Sequence, residues 1–171
     1  MNENVLARGI QSQLLASLHA LQDCIARCPE NEWHGKHQDY PFSQIAFHTL
    51  FDCDLNLSAD EADLKGQVFH VANLPEFGDY EELRDTIKDR RYDKKFIIAY
   101  HLHCLGKVGV IMDSITMDEL LRPNADFYRS MTKAERYINC IRHTQHHAAQ
   151  LGFRLQIITG KEMEWIGRAD G

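Results

Sequence analysis

The sequence has few of the features that mark exported, membrane-spanning or nucleic-acid-binding proteins. Its first residues, Met1–Asn4, show neither a basic stretch nor the apolar run of a signal peptide. No window approaches the ~20 apolar residues of a membrane span. Lysine and arginine number 19 against 25 aspartates and glutamates, a net charge of −6, so no basic excess favours nucleic acid. We therefore expect a cytoplasmic protein whose partners include no nucleic acid and no membrane.

Cysteine is present, but not in the arrangements that build disulfide scaffolds or zinc ribbons. The five cysteines are an odd number, and none is paired as C-x-x-C. They are Cys24, Cys28, Cys53, Cys104 and Cys140. Each lies in an apolar or helical stretch, which favours reduced and mostly buried thiols. Cys24 and Cys28 share one face of a predicted helix, but two cysteines alone make a poor metal site.

Apolar residues recur at three- and four-residue steps through most of the chain, which is the period of amphipathic helices. Four such stretches are long, and they cover residues 4–27, 42–57, 94–114 and 131–159. No convincing alternation of apolar and polar residues indicates a strand. A chain of 171 residues suits a single domain, here 1–171. We predict an all-α fold, an antiparallel four-helix bundle.

Local signals mark the ends of these predicted helices. Asp93 stands where it would cap the third long helix, and Thr132 with Glu135 has the spacing of a capping box before the fourth. Gly160 is a natural cap for the end of that helix. These signals place the helix ends independently of the apolar pattern.

The stretch between the second and third long helices is the least regular part of the sequence. Residues 58–91 contain Gly66, Pro75, Gly78 and many charges. Residues 67–71 could form an extended piece. A long connection of this kind is either functional or a crossover between distant helix ends. We predict a long irregular crossover between helices two and three.

Histidine is the residue type that points toward chemistry, since ten are present. His143 and His147 are four residues apart on the last predicted helix, which places both imidazoles on one face, within reach of a single metal ion. His143 with His146 is a second possible pair. His48 stands in the apolar second helix, either as a hydrogen-bonded core residue or as a third ligand. Ligands from facing helices of a bundle meet in its core, so we predict a divalent-metal site at His48, His143 and His147, with positions left open for water or substrate.

Two further side chains stand one helical turn from the predicted ligands. Asp52 follows His48 and would be an acceptor behind a ligand, an additional ligand or a surface charge, and the last two are favoured. Gln150 follows His147 and could orient a ligand or a bound water. Four of the remaining histidines are assigned to an amphipathic surface or to loops, namely His19, His34, His37 and His70. His101 and His103 are two residues apart and point to different helix faces, so we expect one to be partly buried and the other solvated.

Several short motifs, in this order and spacing, resemble those of the DinB/YfiT-like superfamily. They are FHTLF at 47–51, LPEFG at 74–78, SITMDELL at 114–121 and HTQHHAAQ at 143–150. The resemblance extends over most of the chain, from about Gln11 to Thr159.

This resemblance implies a four-helix bundle that commonly forms homodimers and binds a divalent metal ion such as nickel or zinc. Carried over position by position, the family's three metal-binding histidines are His48, His143 and His147. Characterised relatives include transferases and isomerases that use the low-molecular-weight thiols bacillithiol or mycothiol. The arginine that often follows the last ligand is Ala148 here, which leaves Arg142 and Arg154 as nearby candidates for binding an anionic substrate.

Three functions are consistent with these observations. The first is a metal-dependent enzyme, a thiol-dependent S-transferase or a hydrolase, acting on a small molecule with or without a thiol co-substrate. The second is a non-catalytic metal-binding or stress-response module, and the third is a helical interaction domain. The sequence shows no dedicated general base, and Asp52 and Asp54 are candidates only by their nearness to His48.

Overall fold

The computed structural model describes residues 5–36, 40–84, 89–123 and 131–169. Over these residues the regular structure is helical, and none of them belongs to a β-strand. The elements are α1 Val5–Arg27, α2 Phe42–Leu57, α3 Glu61–Gly66, α4 Val68–Ala72, α5 Leu74–Phe77, a 3-10 turn at Glu81–Arg84, α6 Lys94–Ser114, α7 Met117–Leu121 and α8 Lys133–Thr159. The predicted all-α class is confirmed.

The capping signals act as the sequence predicts. The Asp93 side chain accepts a 2.7 Å hydrogen bond from the backbone N–H of Lys95 at the start of α6. Thr132 and Glu135 form a complete capping box at the start of α8. Gly160 ends α8 in the left-handed conformation, with φ 70°, which costs a glycine little because it has no Cβ.

The four long helices surround a shared apolar core. α1 packs against α6 and α8, and α2 packs against the same two helices. The core side chains with almost no exposure include Leu14, Leu18, Phe47, Leu50, Tyr100, Leu151 and Leu155. All five cysteines are free and buried, as predicted. This packing holds one face of α2 against α8, which is the pair of helices that carries the candidate ligands.

The connection between α2 and α6 is long, as predicted, but the prediction that it is irregular is wrong for much of its length. It contains α3, α4, α5 and the 3-10 turn at Glu81–Arg84. Residues 68–71 lie in α4 rather than in an extended piece. These helices have four to six residues, too few for a 3.6-residue period to be recognised in the sequence.

One helix meets a simple criterion for crossing a membrane. α6 has 21 residues and a window with mean hydropathy 1.3, of which 33% is buried. Buried helices of water-soluble proteins meet the same criterion, and α6 packs against α1 and α2. The absence of a membrane span, expected from the sequence, therefore stays a prediction.

Candidate metal centre

The three histidines selected from the sequence lie together between α2 and α8. One ring nitrogen of each of His48, His143 and His147 lies within 4.8 Å of the other two. The His48 ring centroid is 5.1 Å from each of the other two rings. The alternative partner of His143, the exposed His146, is outside this group.

The spacing of the two α8 histidines suits a shared ion. Their Nε2 atoms are 3.2 Å apart. Zinc–nitrogen bonds of about 2.0–2.1 Å place neighbouring ligand nitrogens about 2.8–3.4 Å apart, from octahedral to tetrahedral geometry. His143 and His147 therefore hold the separation that two ligands of one ion require, and the donor set, three imidazoles, suits zinc, nickel, iron and copper.

Each of the three rings also faces an oxygen acceptor on its other side. His48 Nδ1 is 2.7 Å from Glu82 Oε2, and His147 Nδ1 is 3.0 Å from Gln150 Oε1. His143 Nδ1 is 3.0 Å from Asp52 Oδ2, at an angle outside hydrogen-bond geometry. An acceptor opposite Nδ1 favours the tautomer with its proton on Nδ1, which leaves the lone pair on Nε2. We call Glu82, Asp52 and Gln150 the outer acceptors.

Two of the outer acceptors were candidates from the sequence. Gln150 lies behind His147, in the orienting place predicted for it. The favoured roles of Asp52, additional ligand or surface charge, are corrected. Its side chain is 17% exposed and lies behind His143, and it also accepts a 3.0 Å hydrogen bond from Asn56 Nδ2. Asp52 lies there because residues four apart on a helix share a face, and the face of α2 that carries His48 is turned toward α8.

Glu82, the third outer acceptor, was not found from the sequence. It lies on the 3-10 turn at Glu81–Arg84, 34 residues beyond His48. Its side chain is only 10% exposed, although glutamate is rarely buried without a partner. No local pattern marks it, because the contact depends on how the connection between α2 and α6 folds back over α2. The one available signal was that a long connection inside a compact domain often contributes to function.

Burial affects the protonation of His147. Desolvation lowers the pKa of His147 to about 4, against the opposing effect of its hydrogen bond to Gln150. Its neighbours His143 and His48 lower the pKa further, because two adjacent imidazolium charges would repel. His147 is therefore neutral at pH 7, and neutral imidazole is the form that binds a metal ion.

A second polar cluster lies on the other side of α2, and it corrects the assignment of His70 to a surface or loop. His70 and Asp54 are both fully buried, and His70 Nε2 donates a 2.7 Å hydrogen bond to Asp54 Oδ2. His103 is partly buried, with Nε2 3.6 Å from the same oxygen. Lys107 Nζ donates to Asp54 Oδ1 over 2.6 Å. His101, by contrast, is an ordinary core residue bonded to the carbonyl of Leu18.

This second cluster has the residue types of a metal site, but its charges do not favour binding a cation. Burial acts to raise the pKa of Asp54, but the nearby imidazoles of His103 and His70 and the charge of Lys107 outweigh it and hold that pKa well below its usual range. The ammonium group already neutralises the carboxylate and would repel a second cation. We interpret Asp54 as the centre of a structural charge network, and it is not placed to act as a general base for His48.

The described contacts of the arginine candidates are with other groups. In its described contacts Arg154 donates to the backbone carbonyls of Gly35 and Tyr40, at 3.0 and 3.1 Å, and so secures the segment that leads into α2. Arg142 is exposed on α8. His37, assigned to a loop from the sequence, is outside the described residues. These contacts bring neither arginine to the three histidines.

Comparison with known proteins adds no assignment to this geometry. The chain matches no family model, no curated protein and no solved structure. The resemblance to the DinB/YfiT-like superfamily therefore stays a prediction. What is established at this site is a cluster of three imidazoles from two helices, each with an oxygen acceptor behind it.

Proposed function

We propose that the protein binds one divalent metal ion, nickel or zinc, at His48, His143 and His147, and uses it in a metal-dependent transfer or hydrolysis reaction. One observation carries the proposal: one ring nitrogen of each histidine lies within 4.8 Å of the other two, while Nδ1 of each ring faces an oxygen acceptor. Without a metal ion, His143 Nε2 and His147 Nε2 share one hydrogen bond over 3.2 Å. With the protons moved to Nδ1, these nitrogens would instead offer their lone pairs to one ion. A bound cation relieves the repulsion among them.

The chain's own residues would divide the work between binding and orientation. His48, His143 and His147 hold the ion, and three protein ligands leave further positions for small molecules. A divalent ion in such a site lowers the pKa of a bound water or thiol and polarises a substrate. Glu82 and Asp52 increase the basicity of the rings in front of them, and Gln150 fixes the orientation of His147. The reactant classes that fit are a small electrophile or ester and a low-molecular-weight thiol.

The helix contacts support the finer fold proposal. α1 and α2 each pack against both α6 and α8, which is the neighbour relation of a four-helix bundle with α1 diagonal to α2. We include in the proposal an antiparallel bundle of the DinB/YfiT-like type, working as a cytoplasmic homodimer. Size measurement in solution tests the dimer independently of the metal.

Elemental analysis of protein purified without a polyhistidine tag tests the site. We expect about one nickel or zinc ion per chain, the stoichiometry of a three-ligand site. His48→Ala and His143→Ala should each lose it. His146→Ala is the matched control, because His146 is on the same helix but outside the cluster. Unchanged metal content in both ligand variants would show that the site does not exist.

A turnover assay then tests the reaction class. The metal-loaded protein is supplied with a thiol and a generic aryl halide, or with a nitrophenyl ester, before and after treatment with a chelator. We expect turnover that the chelator removes and the metal restores. If a metal-loaded protein turns over none of these substrates, the enzyme proposal is rejected while the binding proposal stands.

A specific observation favours a non-catalytic metal-binding module as the second candidate. The two carboxylates closest to the ligands, Glu82 and Asp52, both face ring nitrogens. Neither is therefore placed to accept a proton from substrate. Under this alternative the metal stabilises the fold with no turnover, so the same two experiments separate the candidates.

A further inference from the structure

Glu82 and His48 belong to different secondary-structure elements, so no helix geometry fixes the distance between them. Glu82 lies in the 3-10 turn at Glu81–Arg84, whereas His48 is in the middle of α2. The 2.7 Å separation of Glu82 Oε2 and His48 Nδ1 therefore depends on how the connecting segment is anchored. Arg90 Nη2 lies 3.4 Å from Glu81 Oε1 on one side of the turn, and on the other side the backbone N–H of Leu83 donates to the carbonyl of Tyr80 over 3.0 Å.

Tyr80, two residues before Glu82, has the unusual backbone. Its φ is 54°, the only positive φ at a residue other than glycine over the described ranges 5–36, 40–84, 89–123 and 131–169. A tyrosine in this left-handed region is strained and persists only where surrounding contacts fix it. Its side chain is 6% exposed and its ring stacks on that of Phe77, with an interplanar angle of 12°. The residue with the strained backbone therefore also has a buried and packed side chain.

The Tyr80 hydroxyl connects this residue to the second polar cluster. It lies 3.2 Å from His70 Nδ1, and His70 Nε2 lies 2.7 Å from Asp54 Oδ2. Asp54 is ionised and fully buried, so His70 donates from Nε2 and presents its Nδ1 lone pair to Tyr80. Tyr80 O–H is then the donor to His70. The charge of Asp54, which Lys107 balances, thus sets the direction of the His70–Asp54 bond, and the Tyr80–His70 direction is that of the single-proton tautomer which this bond selects.

We propose that Asp54, His70 and Tyr80 form a positioning chain that holds Glu82 against His48 and so sets the tautomer that His48 offers to a metal ion. Asp54 fixes His70, His70 fixes the strained Tyr80, and Tyr80 fixes the turn that begins at Glu81. This positioning chain links the two histidine-containing clusters, which lie on opposite sides of α2. Its consequence for metal binding rests on the proposed function, but the Glu82–His48 contact itself does not require a metal.

The first test uses the metal-free protein and the variant Tyr80→Phe, which keeps the ring and removes the hydroxyl. The readout is the imidazole Nδ1–H resonance of His48 in proton–nitrogen spectra. We expect a protected signal in the unaltered protein and at least fivefold faster exchange with water in Tyr80→Phe. Tyr137→Phe is the matched control, since Tyr137 is buried but is not part of the proposed positioning chain. If Tyr80→Phe does not fold, His70→Gln breaks the next hydrogen bond and is read in the same way.

The second test measures zinc affinity by competition with a coloured chelator. We expect Glu82→Gln to weaken binding by about 10-fold, within the range for lost outer hydrogen bonds, and Tyr80→Phe to weaken it by about 3- to 10-fold. The double variant should bind no more weakly than Glu82→Gln, because both act through one contact.

The outcomes separate the two proposals. Unchanged His48 exchange in both Tyr80→Phe and His70→Gln overturns the positioning chain, whatever the metal affinity. Fully multiplicative losses of zinc affinity in the double variant overturn it as well. If the unaltered protein binds no metal but its His48 exchange responds to Tyr80→Phe, the proposed function fails and the positioning chain is supported.

Discussion

At the scale of single residues, the environment of each histidine decides its chemistry more than its place in the sequence. His48, His143 and His147 each face an oxygen atom on one side and another imidazole on the other. His70 is more deeply buried than any of them, yet Asp54 already occupies its Nε2. Burial and partner, rather than residue type, separate ligand candidates from structural histidines.

Asp54→Asn tests the structural role of the second cluster. Removing the carboxylate charge leaves the Lys107 ammonium, whose side chain is 14% exposed, without its counter-charge. Breaking one partner of a buried ion pair costs about 3–5 kcal/mol, so we expect the free energy of unfolding to fall by about 3 kcal/mol. Urea denaturation measures it, with Asp113→Asn on the exposed side of α6 as the control. Equal midpoints for the two variants would contradict the network.

The same carboxyl predicts how stability depends on pH. The pKa of Asp54 is held well below its usual range in the folded protein, against about 3.9 in an unfolded chain. Its contribution is therefore fully present above pH ~4 and is lost as pH falls below that value, because the unfolded chain then binds the proton first. Urea titrations of the metal-free protein between pH 5 and pH 2.5 should show a steeper loss than those of Asp54→Asn. Parallel profiles would contradict this expectation.

At the scale of elements, the long helices follow from local rules and the connection does not. The repeating apolar positions of α2 and α8 and the capping box at Thr132 depend only on neighbours in sequence, so they were predictable. The HxxxH spacing at His143 placed two rings on one face for the same reason. Glu82 depends on a contact across 34 residues, and the short helices α3 to α5 depend on packing against α2, so neither could be recognised without the structure.

Hydrogen exchange tests whether the connection and the site are coupled. We expect added zinc to slow amide exchange in α2 and α8, and also in the turn at Glu81–Arg84, which supplies no ligand but contacts His48 through Glu82. The protection of an amide from exchange measures the free energy of opening the structure around it. The control is His143→Ala, in which zinc should slow none of these segments. Protection confined to α2 and α8 would show that Glu82 is not held by the occupied site.

At the scale of the whole molecule, one core supports both clusters. α2 carries His48 toward α8 on one side and Asp54 toward α6 on the other, as the contacts with His143 and Lys107 show. The all-α class was predictable from the spacing of apolar residues. The sharing of one helix by two clusters was not, because side chains on opposite faces of α2 acquire their partners only when the other helices pack.

Metal binding should appear in global stability. A ligand at 100 times its Kd adds about 2.7 kcal/mol to the free energy of unfolding, and for a chain of this size that corresponds to a rise in Tm of about 5–10 °C. Calorimetry with and without saturating zinc measures it. His48→Ala should show no rise, and His146→Ala should show the full rise. Equal shifts in all three proteins would indicate adventitious binding.

The ligand positions also have a topological consequence. His48 and His143 are 95 residues apart in the chain, and the whole of the α3–α7 region lies between them. An ion held by both would act as a reversible cross-link closing a loop of that length, comparable in entropy to a disulfide across about 100 residues. All cysteines of this protein are free, so no disulfide supplies such a cross-link. The metal ion would supply one, and the cross-link would form or break with the availability of metal rather than with the redox state.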